Sequence, residues 1–369
     1  MKVIDRGIIF GATAPRGSCS FTHLRRLPSK AILSIFRRGS RKDTADGNCS
    51  VARSDDGGGS WHVVSEGFER VFDGVEGEVR EADVWELDDG SWGATMTWVD
   101  RSSGGPLHDA ATDTLLPTRV LVTRSTDQGR HWEPAREIET GNLEGVVLTG
   151  PGLCLPDHRY LAMVESFQHE NGSAHSLHGA HALPRSADGL FLAPAQVARH
   201  PDDRLFYWDQ RHDVCPRTGR PIGFFWSYDR QAEQDVPIHA AWGDASTLTW
   251  EAPFSTGIQG QIAAPVPLED GRLLMFYVHR HAPAGMRLIA SHDDGRTWDR
   301  EGEIVIHDHA APQAGMAEAS DFDQYWKDMS IWSFGHPAAV RLDEETLLLS
   351  HYAGRDAAQL SVHWARVRV

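Results

Sequence analysis

Two carboxylates, Glu81 and Asp83, lie two residues apart in a run of alternating polar and apolar residues that predicts a β-strand. Side chains alternate along a strand, so these two share one face at a separation of roughly 7 Å. At that spacing one carboxyl group can hold a raised pKa beside an ionised neighbour, which suits general acid–base chemistry. Asp43 and Asp46, in a polar segment after the preceding predicted strand, extend the set. Ordinary solvated charges at the start of a strand are the alternative interpretation of Glu81 and Asp83.

A second group of residues could bind a ligand or take part in proton transfer. Carboxylates, imidazoles, guanidinium groups and aromatic rings together suit a ligand rich in hydroxyl groups, because hydroxyls form hydrogen bonds and apolar C–H faces stack on rings. The candidate binding residues are His23, Arg37, Arg38, Trp98, Glu165, Arg211, His212, Gln261, Arg280 and Tyr352, and His336 is a candidate catalytic residue. Taken singly, each of these histidines is more often a hydrogen-bonded structural residue.

The composition excludes several classes of protein. The chain has 369 residues, and 36 Lys and Arg against 52 Asp and Glu give a formal net charge of −16, which disfavours a nucleic-acid partner. No apolar run approaches the about 20 residues of a membrane-spanning helix, and Asp5 and Arg6 interrupt the apolar residues of the N-terminal stretch. The four cysteines are widely spaced without a CxxC pair. These features predict a soluble, cytoplasmic protein without a membrane or nucleic-acid partner.

One short pattern, S-x-D-x-G-x-(S/T/H)-W, occurs three times, at residues 54–61, 125–132 and 291–298. The residue types are those of a hairpin turn: Asp accepts hydrogen bonds from backbone amides, Gly adopts a positive φ, and Trp anchors the turn against the sheet. The pattern is that of the Asp box, and the chain therefore resembles the sialidase (neuraminidase) superfamily of Asp-box, or BNR-repeat, β-propellers. The aspartates of these turns are expected to be structural.

A second pattern, Leu-x-Asp-Gly or a close variant between two apolar runs, occurs six times. The copies begin at Leu27, Leu87, Leu155, Pro216, Leu268 and Leu342. Six copies in 369 residues give about 61 residues per repeat, which is enough for four short strands with their loops. We therefore expect an all-β fold, a six-bladed β-propeller that forms one domain over residues 1–369, with no amphipathic helix. The last repeat has only three strand-like runs, so residues 3–10 are expected to supply its outer strand and close the ring.

The topology of such a blade predicts which face carries the site. The S-x-D turns would join the third and fourth strands and the Leu-x-x-Gly turns the first and second, so both lie on one face. The opposite face is formed by the starts of the first strands and by the loops after the second strands. With unbroken alternation, Phe21, Glu81, Gln210, Ile262 and His336 lie at this mouth. Residues 308–330, before the last repeat, are expected to fold over it.

The resemblance to sialidases implies roles for the first and last repeats. The acid/base Asp of that family lies in the loop that Asp43 and Asp46 occupy here, so one of these two is the expected acid/base. Arg37 or Arg38 would lie nearby and balance the charge. His336 stands where the family has its nucleophilic Tyr.

The fifth repeat also departs from the family pattern. Ile262, or Gln261 with a shift of one residue, stands where the family has the Glu that pairs with its nucleophile, and Val278 stands at the place of an arginine, with Arg280 two residues further on. These departures imply a substrate other than a standard sialoside.

The function expected from these features is that of a carbohydrate-active enzyme, an exo-acting glycoside hydrolase with an Asp/Glu acid–base pair. Its partner would be a glycan or small carbohydrate, with anionic sugars among the candidates. Two alternatives stay open: a polysaccharide lyase on a uronate-containing glycan, with a His or Tyr base and an Arg, and a non-catalytic glycan-binding propeller.

No cofactor or metal is expected. Histidines are concentrated in residues 169–181, but that segment has neither the H-E-x-x-H spacing nor a Cys partner. His307 and His309 are interpreted in the same way.

Overall fold

The computed structural model describes residues 1–13, 16–109, 114–167, 179–309 and 322–369, and the side chains of Asp109 and of residues 322–325 are outside this description. The regular structure of the described residues is almost all β, as the sequence predicts. In chain order the elements are β1 (Lys2–Phe10), β2 (Ser18–Arg26), β3 (Ile32–Gly39), β4 (Asn48–Ser54), β5 (His62–Ser65), β6 (Val71–Phe72), β7 (Val75–Glu86), β8 (Trp92–Asp100), β9 (His108–Asp109), β10 (Thr114–Leu115), β11 (Thr118–Ser125), β12 (Arg136–Glu137), β13 (Val146–Leu148), β14 (Leu153–Cys154), β15 (Tyr160–Ser166), β16 (Gly179–Pro184), β17 (Ala195–Ala198), β18 (Leu205–Val214), β19 (Pro221–Asp229), β20 (Gln234–Asp244), β21 (Thr249–Trp250), β22 (Phe254–Ser255), β23 (Ala263–Pro267), β24 (Leu273–His279), β25 (Gly285–Ser291), β26 (Ile304–Asp308), α1 (Phe322–Ile331), β27 (Phe334–Arg341), β28 (Thr346–Asp356) and β29 (Gln359–Arg368).

Backbone pairing joins these strands into antiparallel groups, which we number as sheets in chain order; a single parallel bridge from Ser18 of β2 to Leu360 of β29 links the first and the last of them into one eight-stranded sheet. Sheet 1 is β2-β3-β4-β5 and sheet 2 is β7-β8-β11-β12; in sheet 3, β13 and β14 both pair with β15, which continues to β16 and β17. Sheet 4 is β18-β19-β20 with β21 and β22 on its outer edge, sheet 5 is β23-β24-β25-β26, and sheet 6 is β27-β28-β29-β1. The pairing of β1 with β29 confirms that the N-terminal strand completes the last repeat.

The six Leu-x-x-Gly-type turns each join the first strand of a sheet to the second, as predicted. In five of them the first N–H donates to the carbonyl four residues later, as from Leu27 to Ala31 and from Leu268 to Arg272. The turn of sheet 4 is one residue longer and runs from Cys215 to Arg220. This shared hydrogen bond confirms the repeat that the sequence indicates.

The three S-x-D turns also have one structure and join the third and fourth strands of sheets 1, 2 and 5. In the last of them Ser291 Oγ donates to Asp293 Oδ1 at 2.8 Å and accepts from the backbone N–H of Gly295 at 2.9 Å. Asp293 Oδ1 also accepts from the N–H of Thr297 at 2.7 Å, and Gly295 has a φ of 87°. The predicted turn chemistry is therefore confirmed, including the positive φ that favours Gly.

Four first strands carry a β-bulge close to their beginning. The register shifts after Ser20 in β2, after Val79 in β7, after Trp208 in β18 and after Gly335 in β27. A bulge inserts one extra residue and re-aims the side chains around it. The alternation assumed from the sequence is therefore broken at this end of four sheets.

The apolar core lies between the faces of neighbouring sheets. Leu33 of sheet 1 packs in one cluster with Val84 and Met96 of sheet 2, and Phe276 of sheet 5 packs in another with Leu347 of sheet 6. All five side chains are buried, and burial of a large apolar side chain contributes about 1.5–3 kcal/mol. This packing holds the beginnings of the first strands in place around the site.

Helix α1 contradicts the expectation of a chain without an amphipathic helix. The sequence carries the signal, because Phe322, Tyr325, Trp326 and Met329 follow the i, i+3, i+4, i+7 spacing of an apolar helix face. The segment spans only 10 residues, too few for the pattern to stand out. Within the described parts of the chain, no helix combines the length and apolar character needed to cross a bilayer.

Candidate functional site

A cavity of about 1050 Å³ lies at the end of the sheets where the first strands begin, on the face opposite the turns. The polar groups that line it come from first strands, from the loop after β3, from the segment after β24 and from β28. Its polar lining includes Arg41, Lys42, Asp43, Arg80, Glu81, Asp209, Arg280, His336 and Tyr352. Residues 326–331 of α1 also line it, so part of the 308–330 segment lies at the mouth as predicted; residues 310–321 are outside the described chain.

The β-bulges bring four side chains to this cavity. Phe21, Arg80, Asp209 and His336 lie within the register shifts of β2, β7, β18 and β27, and all four line the cavity. Phe21, Asp209 and His336 have φ values of 51°, 47° and 52°, in the left-handed region that strains residues other than Gly. Backbone strain of this kind concentrates at functional sites.

Glu81 is a buried carboxyl group with a single short contact to an ionisable side chain. Its Oε1 lies 3.2 Å from His23 Nε2 and 3.9 Å from His336 Nδ1. Burial raises the pKa of Glu81 to about 7, although Arg211 and Arg80 act in the opposite direction. A carboxyl group of this kind can donate a proton near neutral pH.

The half-buried Asp209 and the fully buried Glu165 form a second pair of acids near Glu81. Burial raises the pKa of Asp209 to about 7, Arg211 opposes that rise, and Glu81 adds to it. Glu165 accepts hydrogen bonds from Thr149 Oγ1 at 2.6 Å and from the N–H of Gln210 at 2.9 Å. Its Oε2 is buried without a partner, and burial together with Asp209 raises the pKa of Glu165 to about 8.

Asp43 differs from these acids because two arginines hold it ionised. Its Oδ1 accepts from Arg80 Nη1 at 2.9 Å and from Arg101 Nη2 at 2.6 Å. Burial would raise the pKa of Asp43, but Arg80 and Arg101 together hold it well below its usual range. Its Oδ2 accepts no hydrogen bond from the described residues and is therefore free for a ligand.

Lys42 and Arg280 are basic side chains at the cavity, cations when protonated, that form no salt bridge with any carboxylate among the described residues. Lys42 is 3% exposed, and its Nζ donates to the carbonyl of Met329 in α1 at 2.5 Å. Burial, with Arg280 and Arg80, lowers the pKa of Lys42 well below its ordinary value. Arg280 donates to Gln261 Oε1 at 2.8 Å and to the carbonyl of Phe334 at 2.9 Å, and burial lowers its pKa to about 10.

Aromatic rings surround these two cations. Lys42 Nζ lies 5.2 Å from the ring centre of Tyr352 and 5.7 Å from that of Trp332, and the Arg280 guanidinium lies 4.1 Å from the same Trp332 ring. The Tyr352 hydroxyl is buried without a well-formed hydrogen bond, and burial raises its pKa to about 12 although Arg280 opposes the rise.

The structure sorts the predicted site residues into three groups. Those that line the cavity are Asp43, Glu81, Arg280, His336 and Tyr352. Those whose side chains contact the side chain of a lining residue are His23, Glu165, Arg211 and Gln261, whereas Arg37 donates to the backbone carbonyl of the lining residue Arg41. Those that lie elsewhere are Arg37, Arg38, Asp46, Asp83, Trp98 and His212, and their contacts explain why.

Asp83 and Arg37 are held in structural ion pairs. Asp83 Oδ2 accepts from Arg25 Nη2 at 2.6 Å and from the Tyr160 hydroxyl at 2.9 Å, and Arg37 Nε donates to Glu78 Oε1 at 2.6 Å. Both side chains are fully buried and do not line the cavity, so the strand alternation that links Glu81 with Asp83 does not place both at the site.

Arg38, Asp46 and Trp98 have hydrogen-bond partners away from the cavity. Arg38 donates to Glu66 Oε2 at 2.5 Å, and Asp46 accepts from the Ser40 N–H at 2.8 Å. Trp98 Nε1 donates to the carbonyl of Arg70 at 2.8 Å, within the core of sheet 2.

His212 lies apart from the main cavity. Its Nε2 is 2.9 Å from Gln210 Oε1, and it lines a separate cavity of about 280 Å³ with Arg25 and Arg341.

Sequence reasoning missed three cavity residues, Lys42, Arg80 and Asp209. Arg80 and Asp209 directly precede the predicted Glu81 and Gln210, and the bulges turn them into the cavity. Lys42 directly precedes the predicted Asp43, so the loop was recognised and its lysine was not.

His23, Glu81 and His336 are the only group of described His, Cys, Asp and Glu residues whose ligand atoms lie within 4.8 Å of one another. Arg211 Nη2 donates to His336 Nδ1 at 3.0 Å, so the lone pair of that nitrogen is already used. A guanidinium at this distance would also repel a cation. These contacts do not suit a metal ion.

No protein-family model matches the chain, and no curated protein matches it. Solved structures do match. A protein of unknown function from Dyadobacter fermentans has a TM-score of 0.72 and 18% identity over 100% of this chain and 99% of its own. A Hadza microbial sialidase has a TM-score of 0.68 and 13% identity over 99% of this chain and 68% of its own. The α-L-arabinanase of Penicillium chrysogenum, complexed with arabinobiose, has a TM-score of 0.66 and 13% identity over 100% of this chain and 99% of its own. At these identities the likeness establishes the fold alone, an all-β fold of the propeller type.

Proposed function

We propose that the protein is a propeller glycoside hydrolase in which Glu81 is the general acid and Asp43 is the ionised partner carboxylate. The observation that carries the proposal is the divergence of two carboxyl groups in one cavity. The pKa of Glu81 is raised by burial to about 7, whereas Arg80 and Arg101 hold the pKa of Asp43 well below its usual range. Two carboxyl groups whose environments push their pKa values apart are the arrangement that glycosidic bond cleavage uses.

In this mechanism Glu81 donates its proton to the glycosidic oxygen as the bond to the leaving sugar breaks. His23, 3.2 Å from Glu81 Oε1, positions the carboxyl group. Asp43, through its free Oδ2, either attacks the sugar carbon or activates a water molecule, and the anomeric form of the product distinguishes these two outcomes.

The substrate class follows from the two basic side chains at the cavity, since a bound carboxylate would favour the protonated form of Lys42. Lys42 and Arg280 have no carboxylate partner at hydrogen-bond distance among the described residues, and a substrate carboxylate would supply one. The Trp332 ring, close to both cations, offers a face for the apolar side of a sugar ring. We therefore propose an acidic sugar at the cleaved end of the glycan.

We also propose that the six sheets are the blades of a closed ring. The first strands of sheets 4, 5 and 6 contact one another in turn, and β2 of sheet 1 contacts both β27 of sheet 6 and β7 of sheet 2. A closed ring gives every first strand a neighbour on both sides.

Hydrolysis of a panel of chromogenic glycosides tests the function. The panel includes neuraminides, glucuronides and arabinofuranosides, so that acidic and neutral sugars are compared. We expect release from an acidic glycoside, with loss of activity in Glu81→Gln and in Asp43→Asn. Asp46→Asn is the matched control, because Asp46 lies in the same loop and does not line the cavity. Glycan binding that persists in all variants without any cleavage would instead identify a non-catalytic binding propeller.

A polysaccharide lyase is the second candidate, and Tyr352 favours it. Its buried hydroxyl lacks a well-formed hydrogen bond, its ring centre lies 5.8 Å from that of His336, and Arg280 is available to neutralise a uronate carboxylate. A Tyr or His base would then remove the proton beside that carboxylate and the glycosidic oxygen would leave. The test is the ultraviolet absorbance of an unsaturated uronate, with no oxygen-18 incorporated from labelled water. Loss of that absorbance in Tyr352→Phe, with Glu81→Gln still active, would replace the hydrolase proposal.

A further inference from the structure

The cavity at the candidate site has an apolar part that the proposed chemistry at Glu81 and Asp43 does not use. Six of the side chains that line it pack together in one cluster, which we call the apolar wall: Leu107, Leu115, Leu116, Val147, Phe167 and Trp326. None of the acids and bases of the proposed mechanism belongs to it. The apolar wall can therefore contact a portion of the substrate other than the acidic sugar.

A hairpin, sheet 3 and helix α1 build the apolar wall. Leu107 and Leu116 flank the β9–β10 hairpin, where the Leu116 N–H donates to the Leu107 carbonyl at 2.8 Å. Trp326 of α1 stacks on the ring of His108, with ring centres 4.7 Å apart and an interplanar angle of 8°. Phe167, which follows β15 of sheet 3, meets the Trp326 ring edge to face at 5.8 Å. These contacts hold the rings and the aliphatic side chains in defined positions beside the cavity.

Arg101 connects the apolar wall to the proposed catalytic carboxylates. Its Nη2 donates to Asp43 Oδ1 at 2.6 Å, and its Nη1 donates at 3.1 Å to the carbonyl of Gly105, two residues before Leu107. Asp43, Gly105 and Leu107 all line the same cavity. A sugar bound between Glu81 and Asp43 therefore has the apolar wall within the cavity that it occupies.

The size of the cavity and the chemistry of the apolar wall both favour an apolar ligand group. Cavities that enclose a whole drug-sized ligand measure about 300–1,000 Å³, so a volume of about 1050 Å³ holds more than one sugar ring. Aliphatic side chains offer no hydrogen bond to sugar hydroxyls, and a hydroxyl buried without a partner costs free energy. Lys327 and Asp328, the charged lining residues of α1, are adjacent and opposite in formal charge, so they add no net charge.

We propose that the apolar wall binds the leaving group of the substrate and that this group is an alkyl or aryl alcohol. This inference rests on the proposed hydrolase function, and it narrows the glycan substrate to an acidic glycoside of an apolar alcohol. The reaction consumes one water molecule: the proton of Glu81 goes to the glycosidic oxygen, the alcohol leaves, and the anomeric carbon gains a hydroxyl group from water.

Calorimetric binding of alkyl glycosides to the Glu81→Gln variant tests this inference, because cleavage in that variant should be too slow to disturb the measurement. The probes are the methyl and octyl glucuronides, the methyl and octyl N-acetylneuraminides, and octyl glucoside as the neutral control. Each buried methylene group strengthens binding about fourfold. The octyl form of the preferred acidic sugar should therefore bind about 50-fold or more tightly than its methyl form, as about three buried methylene groups would give.

Two variants made in the Glu81→Gln background locate the octyl chain. Leu116→Asn and Phe167→Ala change half-buried side chains of the apolar wall, and each should reduce the octyl-to-methyl affinity ratio about fivefold or more. Leu192→Asn is the matched control, because this leucine is 51% exposed and does not line the cavity, so the ratio should not change. A melting temperature close to that of Glu81→Gln shows that each variant is folded.

Three results would overturn the inference: equal affinity for the methyl and octyl forms, no binding of any octyl glycoside, or a ratio that is unchanged in both Leu116→Asn and Phe167→Ala. Cleavage of acidic glycosides without an octyl preference would reject the apolar leaving group and keep the proposed hydrolase. Octyl glucoside that binds as tightly as the octyl glycosides of both acids, with the same loss in Leu116→Asn, would keep the apolar site and reject the acidic sugar. The two proposals therefore fail in distinguishable ways.

Discussion

Glu81 and Asp83 are two carboxylates on one strand, two residues apart, and they have opposite environments. Asp83 is fully buried, but it accepts hydrogen bonds from Arg25, from the Tyr160 hydroxyl and from the N–H of Gly152. Glu81 is 7% exposed and faces the cavity, where its short ionisable contact is His23. Burial of a charge with its partner builds structure, whereas burial of Glu81 without a cation at hydrogen-bond distance raises its pKa to about 7.

The same contrast separates the cavity from its surroundings. Glu78 on the same strand is held by Arg37 and Arg101, while Lys42 and Arg280 at the cavity have no carboxylate bound to them among the described residues. Ionisable side chains without a bound counter-ion therefore identify the candidate site better than the number of charged residues does.

Glu81→Gln should produce the largest change. It keeps the shape of the side chain and removes its proton, so we expect kcat to fall about 10²- to 10⁴-fold, the usual contribution of a general acid. The melting temperature should not decrease. Steady-state kinetics with thermal unfolding of the same sample checks both, and a wild-type kcat in this variant would remove Glu81 from the mechanism.

Asp83→Asn should reduce stability and leave kcat nearly unchanged, the opposite of the effect expected for Glu81→Gln. It leaves the Arg25 guanidinium without its counter-ion, so we expect a loss of about 3–5 kcal/mol in the free energy of unfolding. The kcat of the folded fraction should stay near that of the wild type. Denaturant unfolding measures the loss, and Asp157→Asn, which breaks an exposed pair with Arg159, is the control with an expected change below about 1 kcal/mol. A kcat loss as large as that of Glu81→Gln would mean that both carboxylates act in catalysis.

Lys42→Met should affect substrate binding more than chemistry. When a substrate carboxylate restores the charge of Lys42, their charge-assisted hydrogen bond contributes about 1.5–3 kcal/mol, so the KM for an acidic substrate should rise about 10- to 150-fold. The KM for a neutral analogue should change little. Equal losses for both substrates would show that Lys42 positions α1 through Met329 and does not bind the anionic group.

The pH dependence distinguishes the acid form of Glu81 from its ionised form. Since the pKa of Glu81 is about 7, the rate that depends on its proton should fall about tenfold per unit above that pH.

The same raised pKa means that the folded state binds this proton more tightly than the unfolded chain. The stabilisation is therefore complete below an unfolded pKa of about 4.5 and is lost as pH rises through about 7. The melting temperature of Glu81→Gln relative to wild type should consequently increase between pH 5 and pH 8, and a constant difference would contradict the assignment.

Ser291→Ala tests the face opposite the cavity and should have the smallest effect. It removes the buried acceptor for the N–H of Gly295, which costs about 1–2 kcal/mol of stability. Activity at 25 °C should be unchanged. Any reduction in kcat at that temperature would show that the turns and the cavity are coupled.

The repeats are the part of the fold that could be predicted from the sequence. Six turns that begin at Leu27 and its counterparts, and three turns built like 291–298, are local structures whose hydrogen bonds close within a few residues, so their residue types are sufficient to predict them. The outer strand β1 followed from counting strands in the last repeat. Helix α1 was missed because its apolar spacing covers only a few residues before β27.

The lining of the candidate cavity was predicted in part. Asp43, Glu81, Arg280, His336 and Tyr352 line the cavity, but Asp83, Arg37 and Arg38 are held by neighbouring ion pairs. Arg80 and Asp209 were missed because each lies in a bulge that shifts the alternation by one residue. Nothing in a single strand reveals that shift, because it depends on how the strand pairs with its neighbour.

By itself the sequence determined the all-β class, the repeats, the turn chemistry and the face on which the cavity lies, because all of these depend on residues close together in the chain. The tertiary structure alone decided which charges are paired. Arg25 meets Asp83 across 58 residues and Arg211 meets His336 across 125. The pKa of Glu81 depends on such long-range neighbours and on burial, so only the assembled sheets distinguish a structural carboxylate from a candidate acid.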